Sequence, residues 1–278
     1  MSHILVVDDD RATRHLITEV LRGEGYAVAA AEDGEKALET LERDSFDLIV
    51  LDIWMPGMTG LELLARLRER PASPRVVVMT SDDTPETLLR AVREQAYQYV
   101  SKPVASETLL RVVRSALEAP AEPQRIEVIS AKPDWVELLV PCLIETADRI
   151  QGFLALLDAD LSPDVRESVG QAFRELLMNA VEWGGQLDPH RKVRIAYLRT
   201  RRMLLYRIAD PGPGFRPEQL DHAAISNPAG APFQHASIRE EKGIRPGGFG
   251  ILMARAMVDE LLYNEKHNEV VLIKYLDA

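Results

Sequence analysis

Apolar residues in the first 118 positions fall in short runs, each closed by polar or turn residues. Runs over 4–7, 27–30, 48–51, 76–79 and 98–100 have the length of strands, and the unbroken run 48–51 fits a strand buried on both faces. Between them apolar residues recur at helical spacing over about 11–22, 34–43, 60–70, 85–95 and 106–117. Thr84 before Pro85 has the form of an N-cap followed by a first helical residue. Five strand–helix units predict an α/β layer, a doubly wound five-stranded parallel sheet with helices on both faces.

The rhythm changes after a short proline-bearing stretch, 119–125, which has no apolar periodicity and is expected to be a stiff linker. A strand is predicted over 126–130, followed by helices over about 135–157 and 163–184, the second stopping at Gly184-Gly185. Strands over 193–198 and 203–209 are joined by a basic turn, 199–202. A long loop spans 215–246, a helix begins near Gly247, and strands over 261–264 and 270–275 complete the pattern. Consecutive strands without intervening helices predict an α+β sandwich, a mixed or antiparallel sheet with helices on one face. The expected division is therefore 1–118, linker 119–125, and 126–278.

A chain of 278 residues is comfortable for two cores. With 46% hydrophobic and 28% charged residues it has the balance of soluble globular protein. The formal charge of -11 is set against direct nucleic-acid contact, which needs a basic face. Cys142 is the lone cysteine, so no intrachain disulfide can form and a reducing cytoplasm fits. Its place in an apolar stretch expected to be helical points to packing. No apolar run approaches the ~20 residues of a membrane span, and the N-terminus lacks a signal-peptide pattern. A cytoplasmic protein with no membrane contact is expected.

Asp52 follows the buried run 48–51, and Met55-Pro56-Gly57 then turns the chain. A carboxylate there is costly unless cations or donors meet it. Other runs end in Asp8-Asp9-Asp10, Thr80-Ser81 and Ser101-Lys102-Pro103, and in an open parallel sheet such ends converge. Asp8, Asp9 and Asp52 supply hard oxygens suited to magnesium. Asp52 could attack a phosphoryl group as a nucleophile. Lys102 would neutralise the transferring charge, and the Thr80 hydroxyl could hydrogen-bond the group on arrival. Asp8-Asp9, Asp52 with Met55-Pro56, Thr80 and Lys102-Pro103 together resemble the response-regulator receiver domain over residues 1–118. That resemblance implies phosphorylation at Asp52, a joint movement of Thr80 and Tyr99, a cis bond before Pro103, and an upstream histidine kinase or phosphotransfer protein. Two positions depart from the family pattern: Gln95-Ala96 stands where Gly-Ala is common, and bulky Trp54 lies beside the metal position.

In the second part, Glu175 and Asn179 lie four apart on one helix, flanking an apolar stripe of Val165, Val169, Ala172, Leu176 and Ala180. Asn179 offers a neutral oxygen to a metal that bridges phosphates, and Glu175 could take a proton from a hydroxyl or water. The strand 203–209 leads into Asp210-Pro-Gly-Pro-Gly-Phe215, where Gly212 and Gly214 permit close backbone approach to a flat ligand and Asp210 can accept from an exocyclic amine. Gly247, Gly248 and Gly250 open a helix whose N–H groups suit phosphate. Taken singly, each feature is also the mark of a turn, a helix cap or a solvated face.

In this order they resemble the GHKL ATPases over 126–278. The resemblance implies Asn179 on magnesium, Asp210 on adenine, Glu175 as base and 215–246 as a lid over ATP. Arg239, Lys242 and Arg245 in that lid are candidates to reach the terminal phosphate. No histidine lies between His15 and His190, so the phospho-acceptor helix of a histidine kinase is missing. The short entry to this part, Ala-Val-Glu-Trp-Gly-Gly after Asn179, and Met257-Val-Asp-Glu260 resemble the anti-sigma-factor serine kinases, in which a histidine often stands at the place of Trp183.

The function expected is a response regulator with an ATP- and magnesium-dependent output unit. That unit would phosphorylate serine or threonine on a partner, an anti-sigma antagonist, and a sigma factor is a further candidate for binding. A non-catalytic ATP-binding switch and a histidine-kinase-like enzyme acting in trans stay open as alternatives. Both resembled families commonly dimerise, and a homodimer is one arrangement this allows.

Overall fold

The computed structural model describes residues 2–70, 73–81, 84–119, 125–132, 134–158, 160–216, 224, 231, 234–241 and 248–276, without the side chains of 85, 86, 235 and 239. Residues 120–124 of the expected linker, Gly247, Lys242, Arg245 and the Arg239 side chain lie outside what it describes. The chain divides into two compact units, Met1–Pro123 and Gln124–Ala278.

In the first unit β1 (His3–Val7), β2 (Ala27–Ala31), β3 (Leu48–Asp52), β4 (Arg75–Thr80) and β5 (Gln98–Ser101) alternate with α1 (Arg11–Gly23), α2 (Gly34–Arg43), α3 (Gly60–Arg68), α4 (Pro85–Arg93) and α5 (Ser106–Glu118). The strands pair in parallel in the order β2-β1-β3-β4-β5. The expected doubly wound α/β sheet is thus present. Alternate residues of the buried strands feed opposite cores. Leu5, Val7, Ile49, Leu51, Val76 and Val78 pack with residues of α2, α3 and α4. Ile4, Val6, Leu48, Val50, Val77 and Met79 pack with α1 and α5. Local signals fix the helix starts. Asp10 and Asp33 accept from Thr13 N and Lys36 N, each at 2.7 Å, and Thr59 forms a capping box with Glu62. Thr84 is the N-cap of α4, and its hydroxyl donates to Thr87 Oγ1 at 3.0 Å. Gln95 takes φ +65°, the left-handed conformation a glycine at that place would favour.

The second unit contains β6 (Glu127–Lys132), β7 (Trp135–Pro141), α6 (Ile144–Leu157), α7 (Pro163–Asn179), a π-helical turn (Ala180–Gly184), β8 (Lys192–Arg199), β9 (Met203–Ala209), α8 (Gln234–Glu241), α9 (Gly250–Met257), β10 (Glu260–Tyr263) and β11 (Glu269–Tyr275). Among the described residues the strands form one antiparallel sheet, β10-β11-β9-β8-β7-β6. Helices α6, α7 and α9 contact it. Val136, Leu138, Val193, Ile195, Tyr206 and Leu272, joined across the strands by register, are buried on one face.

Four expectations are corrected. Residues 135–141 form strand β7 and not the start of a helix. Val136, Leu138 and Val140 are buried in alternation, which pairs them with β8. Cys142 accordingly follows a strand; it is buried and its N–H donates to Arg191 O at 3.0 Å. Burial pushes its thiol up to about 11, consistent with packing. The α-helical geometry of α7 ends at Asn179, and residues 180–184 continue as a π turn. The stretch 215–246 includes a helix, α8, and α9 begins at Gly250, three residues beyond Gly247.

Asp158, after α6, is buried beneath the sheet. Tyr197 and Tyr206 donate to its two carboxylate oxygens at 2.9 and 2.6 Å. Burial raises its pKa, and the tyrosine hydroxyls only partly oppose that rise. Among the described residues no helix is long and apolar enough to cross a membrane.

A carboxyl whose native pKa exceeds its unfolded value binds more protons in the native state between the two values. Its charge therefore withdraws stability as pH rises through that window. Relative to the parent, Asp158→Asn is expected to gain stability as pH rises from the usual carboxylate range through the raised value, then level off. Urea denaturation across that range reads this, and a difference that shrinks with pH would contradict it.

Candidate functional site

Two clusters emerge, one in each unit. In the first, Asp8 follows β1 and Asp52 closes β3, both buried, and the residue after β5 is Lys102. The Lys102 ammonium lies between them, 2.7 Å from Asp8 Oδ2 and 2.8 Å from Asp52 Oδ2. Its backbone N–H donates to Thr80 O at 2.8 Å, which ties the end of β4 to the same place. Asp10 N donates to Asp8 Oδ1 at 2.9 Å, Trp54 N reaches Asp52 Oδ1 at 3.4 Å, and Arg14 Nη1 donates to Asp8 O at 2.5 Å. The Lys102–Pro103 peptide is cis.

Burial raises the pKa of Asp8 despite the opposing pull of Lys102. Burial also disfavours charge on Lys102, but Asp52 and Asp8 outweigh it, so its pKa is raised. Asp9 is exposed, and carboxylate oxygens of Asp8, Asp9 and Asp52 lie within 4.8 Å of one another. Three converging carboxylates fit a hard divalent cation such as magnesium. Thr80 is buried at the end of β4, and Tyr99 on β5 packs half-buried against the core beneath α2, α3 and α4. Trp54 is 51% exposed beside Asp52.

In the second unit a cavity of about 550 Å³ is lined by Glu175 and Asn179 of α7, Asp210 after β9, Gly214, and Gly248 and Gly250 at the start of α9. Its volume is in the range of small-molecule and cofactor sites. The four-residue spacing of Glu175 and Asn179 puts both on the cavity side of α7, as helical geometry requires. Glu175 lies against the first turn of α9: a Cβ placed on Gly250 would come within 2.4 Å of Glu175 Oε2. The absence of a side chain there lets carboxylate and helix start meet. Asp210 Oδ1 accepts from Gly212 N at 2.7 Å, and among the described residues Oδ2 has no partner. Burial raises the Asp210 pKa, opposed by the Gly212 N–H and by Arg191. Gly212 itself is buried and supports Asp210 without lining the cavity. Gly248 has φ +100°, and its carbonyl accepts from Ala224 N at 2.9 Å.

Sequence reasoning did not anticipate the wall built by the turn between β10 and β11. Tyr263, His267 and Asn268 line the cavity, as do Trp183 and Met253. The signal available was the polar stretch Asn264-Glu-Lys-His-Asn268 between two apolar strands, which reads only as a turn.

Comparison with known proteins gives a family match for each unit. Residues 4–114 match the response regulator receiver domain, and residues 143–274 match the histidine kinase-like ATPase domain. The DNA-binding response regulator MtrA of Mycolicibacterium smegmatis is 35% identical over 182 residues, 65% of this chain and 78% of that protein. The response regulator MprA of Mycobacterium leprae is 40% identical over 114 residues, 41% of this chain and 50% of that protein. The solved chemotaxis response regulator CheY4 of Vibrio cholerae is 31% identical, with a TM-score of 0.40, covering 42% of this chain and 99% of that one. The chain belongs to the response-regulator family, with a histidine-kinase-like ATPase domain after its receiver domain. Receiver domains interact with histidine kinases or phosphotransfer partners. The expectation of no direct nucleic-acid contact does not fit relatives described as DNA-binding. It rested on net charge, which averages over the chain and does not constrain a local surface.

Removing the cation between two buried carboxylates leaves both uncompensated. Lys102→Met is expected to destabilise the first unit by about 3 kcal/mol or more. Asp52→Asn in the same background should recover part of the loss. Equal urea midpoints for the parent and Lys102→Met would remove Lys102 from this role.

Proposed function

We propose that the chain is a two-component response regulator whose second unit binds ATP with magnesium and phosphorylates serine or threonine on a partner protein. Residues 1–118 act as receiver, 119–125 as linker and 126–278 as the ATPase-type output. The observation that carries the reading is the convergence of Glu175, Asn179, Asp210, Gly248 and Gly250 on one cavity. A receiver joined to a purely structural second unit would not require such a set.

In the receiver, an Asp52 oxygen attacks the phosphorus of a donor phosphohistidine; the new O–P bond forms as the P–N bond breaks, and the imidazole leaves. Lys102, already within 2.8 Å of Asp52, stands where charge on the transferred group would be neutralised. Thr80 supplies a hydroxyl to the phosphorylated carboxylate, and Tyr99 follows its movement. In the output unit Asp210 Oδ2 accepts from the exocyclic amine of adenine, and the N–H groups at the start of α9 donate to phosphate oxygens. Glu175 takes the proton of the attacking hydroxyl, whose oxygen bonds to the terminal phosphorus as the bond from that phosphorus to the ADP oxygen breaks. Magnesium, held by Asp8, Asp9 and Asp52 in one unit and by Asn179 in the other, would supply charge neutralisation at the phosphoryl oxygens. The partner is of the anti-sigma partner-switching kind, and the protein works in the cytoplasm.

The contact between Glu175 and Gly250 favours a second reading. A carboxylate at a helix start stabilises the helix dipole, so Glu175 could anchor α9 in a binding switch without transfer chemistry.

Terminally labelled ATP with magnesium and the protein's own cell extract separates these readings. An acid-stable, alkali-labile label on another protein, lost in Glu175→Ala, is the expected result. Acid-labile, alkali-stable label would indicate histidine chemistry, and tight ATP binding without any label would indicate the switch. For the receiver, Asp52→Asn is expected to abolish uptake of label from a small-molecule phosphodonor such as acetyl phosphate. Unchanged uptake would falsify Asp52 as the acceptor.

A further inference from the structure

The loop that carries Asp210 leaves the sheet at the end of β9, where strand pairing no longer holds it. The turn between β10 and β11 takes over. Asp210 N donates to Asn268 O at 2.9 Å and Phe215 N donates to Lys266 O at 3.1 Å, so both ends of the glycine loop hang on this turn. Between them, Asn268 Nδ2 donates to Gly212 O at 3.1 Å. The approach is close enough that a side chain at Gly214, which has φ +84°, would place its Cβ 1.7 Å from Lys266 O. Three rings close the contact: Phe215 lies 5.7 Å from Tyr263 and 5.2 Å from His267 between centroids.

The turn is itself fastened. Asn264 Oδ1 accepts from Asn268 N at 3.1 Å and from Glu269 N at 3.2 Å, and Asn264 Nδ2 donates to Asn268 Oδ1 at 2.8 Å. The Asn268 carboxamide is therefore engaged at both ends. It faces the cavity wall but spends its polar groups on the loop and on its own turn.

We propose that Asn268 is a positioning residue: it acts through the glycine loop to hold Asp210 at the base-binding end of the cavity, and so sets selectivity for adenine. This rests on the reading of the cavity as an ATP site. Glu175, Asn179 and the start of α9 stand on other elements, and the brace does not touch them. It should matter for a ligand with a base and be indifferent to one without.

The test uses the full-length protein, Asn268→Ala, and three probes with magnesium: ATP, GTP and inorganic tripolyphosphate. Loss of one hydrogen bond corresponds to roughly three- to tenfold in affinity. Asn268→Ala is expected to weaken ATP by about that factor, to narrow the preference for ATP over GTP, and to leave tripolyphosphate unchanged. Amide exchange without any ligand should quicken at Asp210 and Phe215. Asn264→Ala, which frees the same carboxamide from behind, should reproduce the pattern and stands in if Asn268→Ala does not fold. Equal weakening of ATP and tripolyphosphate would mean a general loss of structure and overturn the proposal. So would unchanged ATP affinity and exchange. If the parent itself binds no ATP, the ATP reading fails, while the exchange rates still judge the brace.

Discussion

Taking a carboxylate out of water at the end of a buried strand costs several kcal/mol unless charge or hydrogen bonds meet it, and both units are built around that demand. Asp52 ends β3, whose five residues are all buried. Asp210 follows β9, half of which faces the core. Each strand is long enough to deliver its acid to a sheet end, and in each case the neighbouring strand ends or loops supply what the acid lacks. The two side-chain clusters lie where each fold must compensate a desolvated carboxylate.

The two units do so with different chemistry. Asp52 and Asp8 share the Lys102 ammonium, a full positive charge about 3 Å from both. With Asp9 beside them the carboxylates outnumber the cation, so the cluster has room for a divalent cation as well as the fixed ammonium. Asp210 is met by one backbone N–H of its own loop. A dipole stabilises a carboxylate less than a cation does, and burial holds the Asp210 pKa up. Its remaining oxygen is then suited to accept from a neutral donor such as an amine. The two carboxylates thus differ in what compensates them, a shared ammonium for Asp52 and chiefly a backbone N–H for Asp210.

Much of this was legible in the chain. The run Leu48–Asp52 and the polar ends after Val7, Met79 and Ser101 define both the parallel sheet and its reactive edge, since strand ends in such a sheet share one side. Glu175 and Asn179 meet in one cavity because four residues are about one helical turn. Trp135–Pro141 was misread because Trp-Val-Glu-Leu-Leu-Val fits apolar positions at period 2 and at period 3.6 alike, and pairing with β8 decided it. Helix α8 escaped because Gln234–Glu241 carries hardly any apolar stripe. The π turn after Asn179 has no residue signature; it shows only in backbone geometry.

What stayed hidden has a common physical form. Groups that touch a ligand act through side chains, and short-range spacing places them, so their identities leave a readable trace. Groups that hold those side chains act largely through backbone atoms. The carbonyls of Lys266 and Asn268 hold the glycine loop, and the Thr80 carbonyl anchors Lys102. Every residue has a carbonyl, so the chain records nothing of which one is used. The partner lies more than fifty residues away for Asp210 and twenty-two for Lys102, beyond any local pattern. A motif therefore marks where chemistry can occur, while the folded backbone determines whether the reactive atoms are held still enough for it.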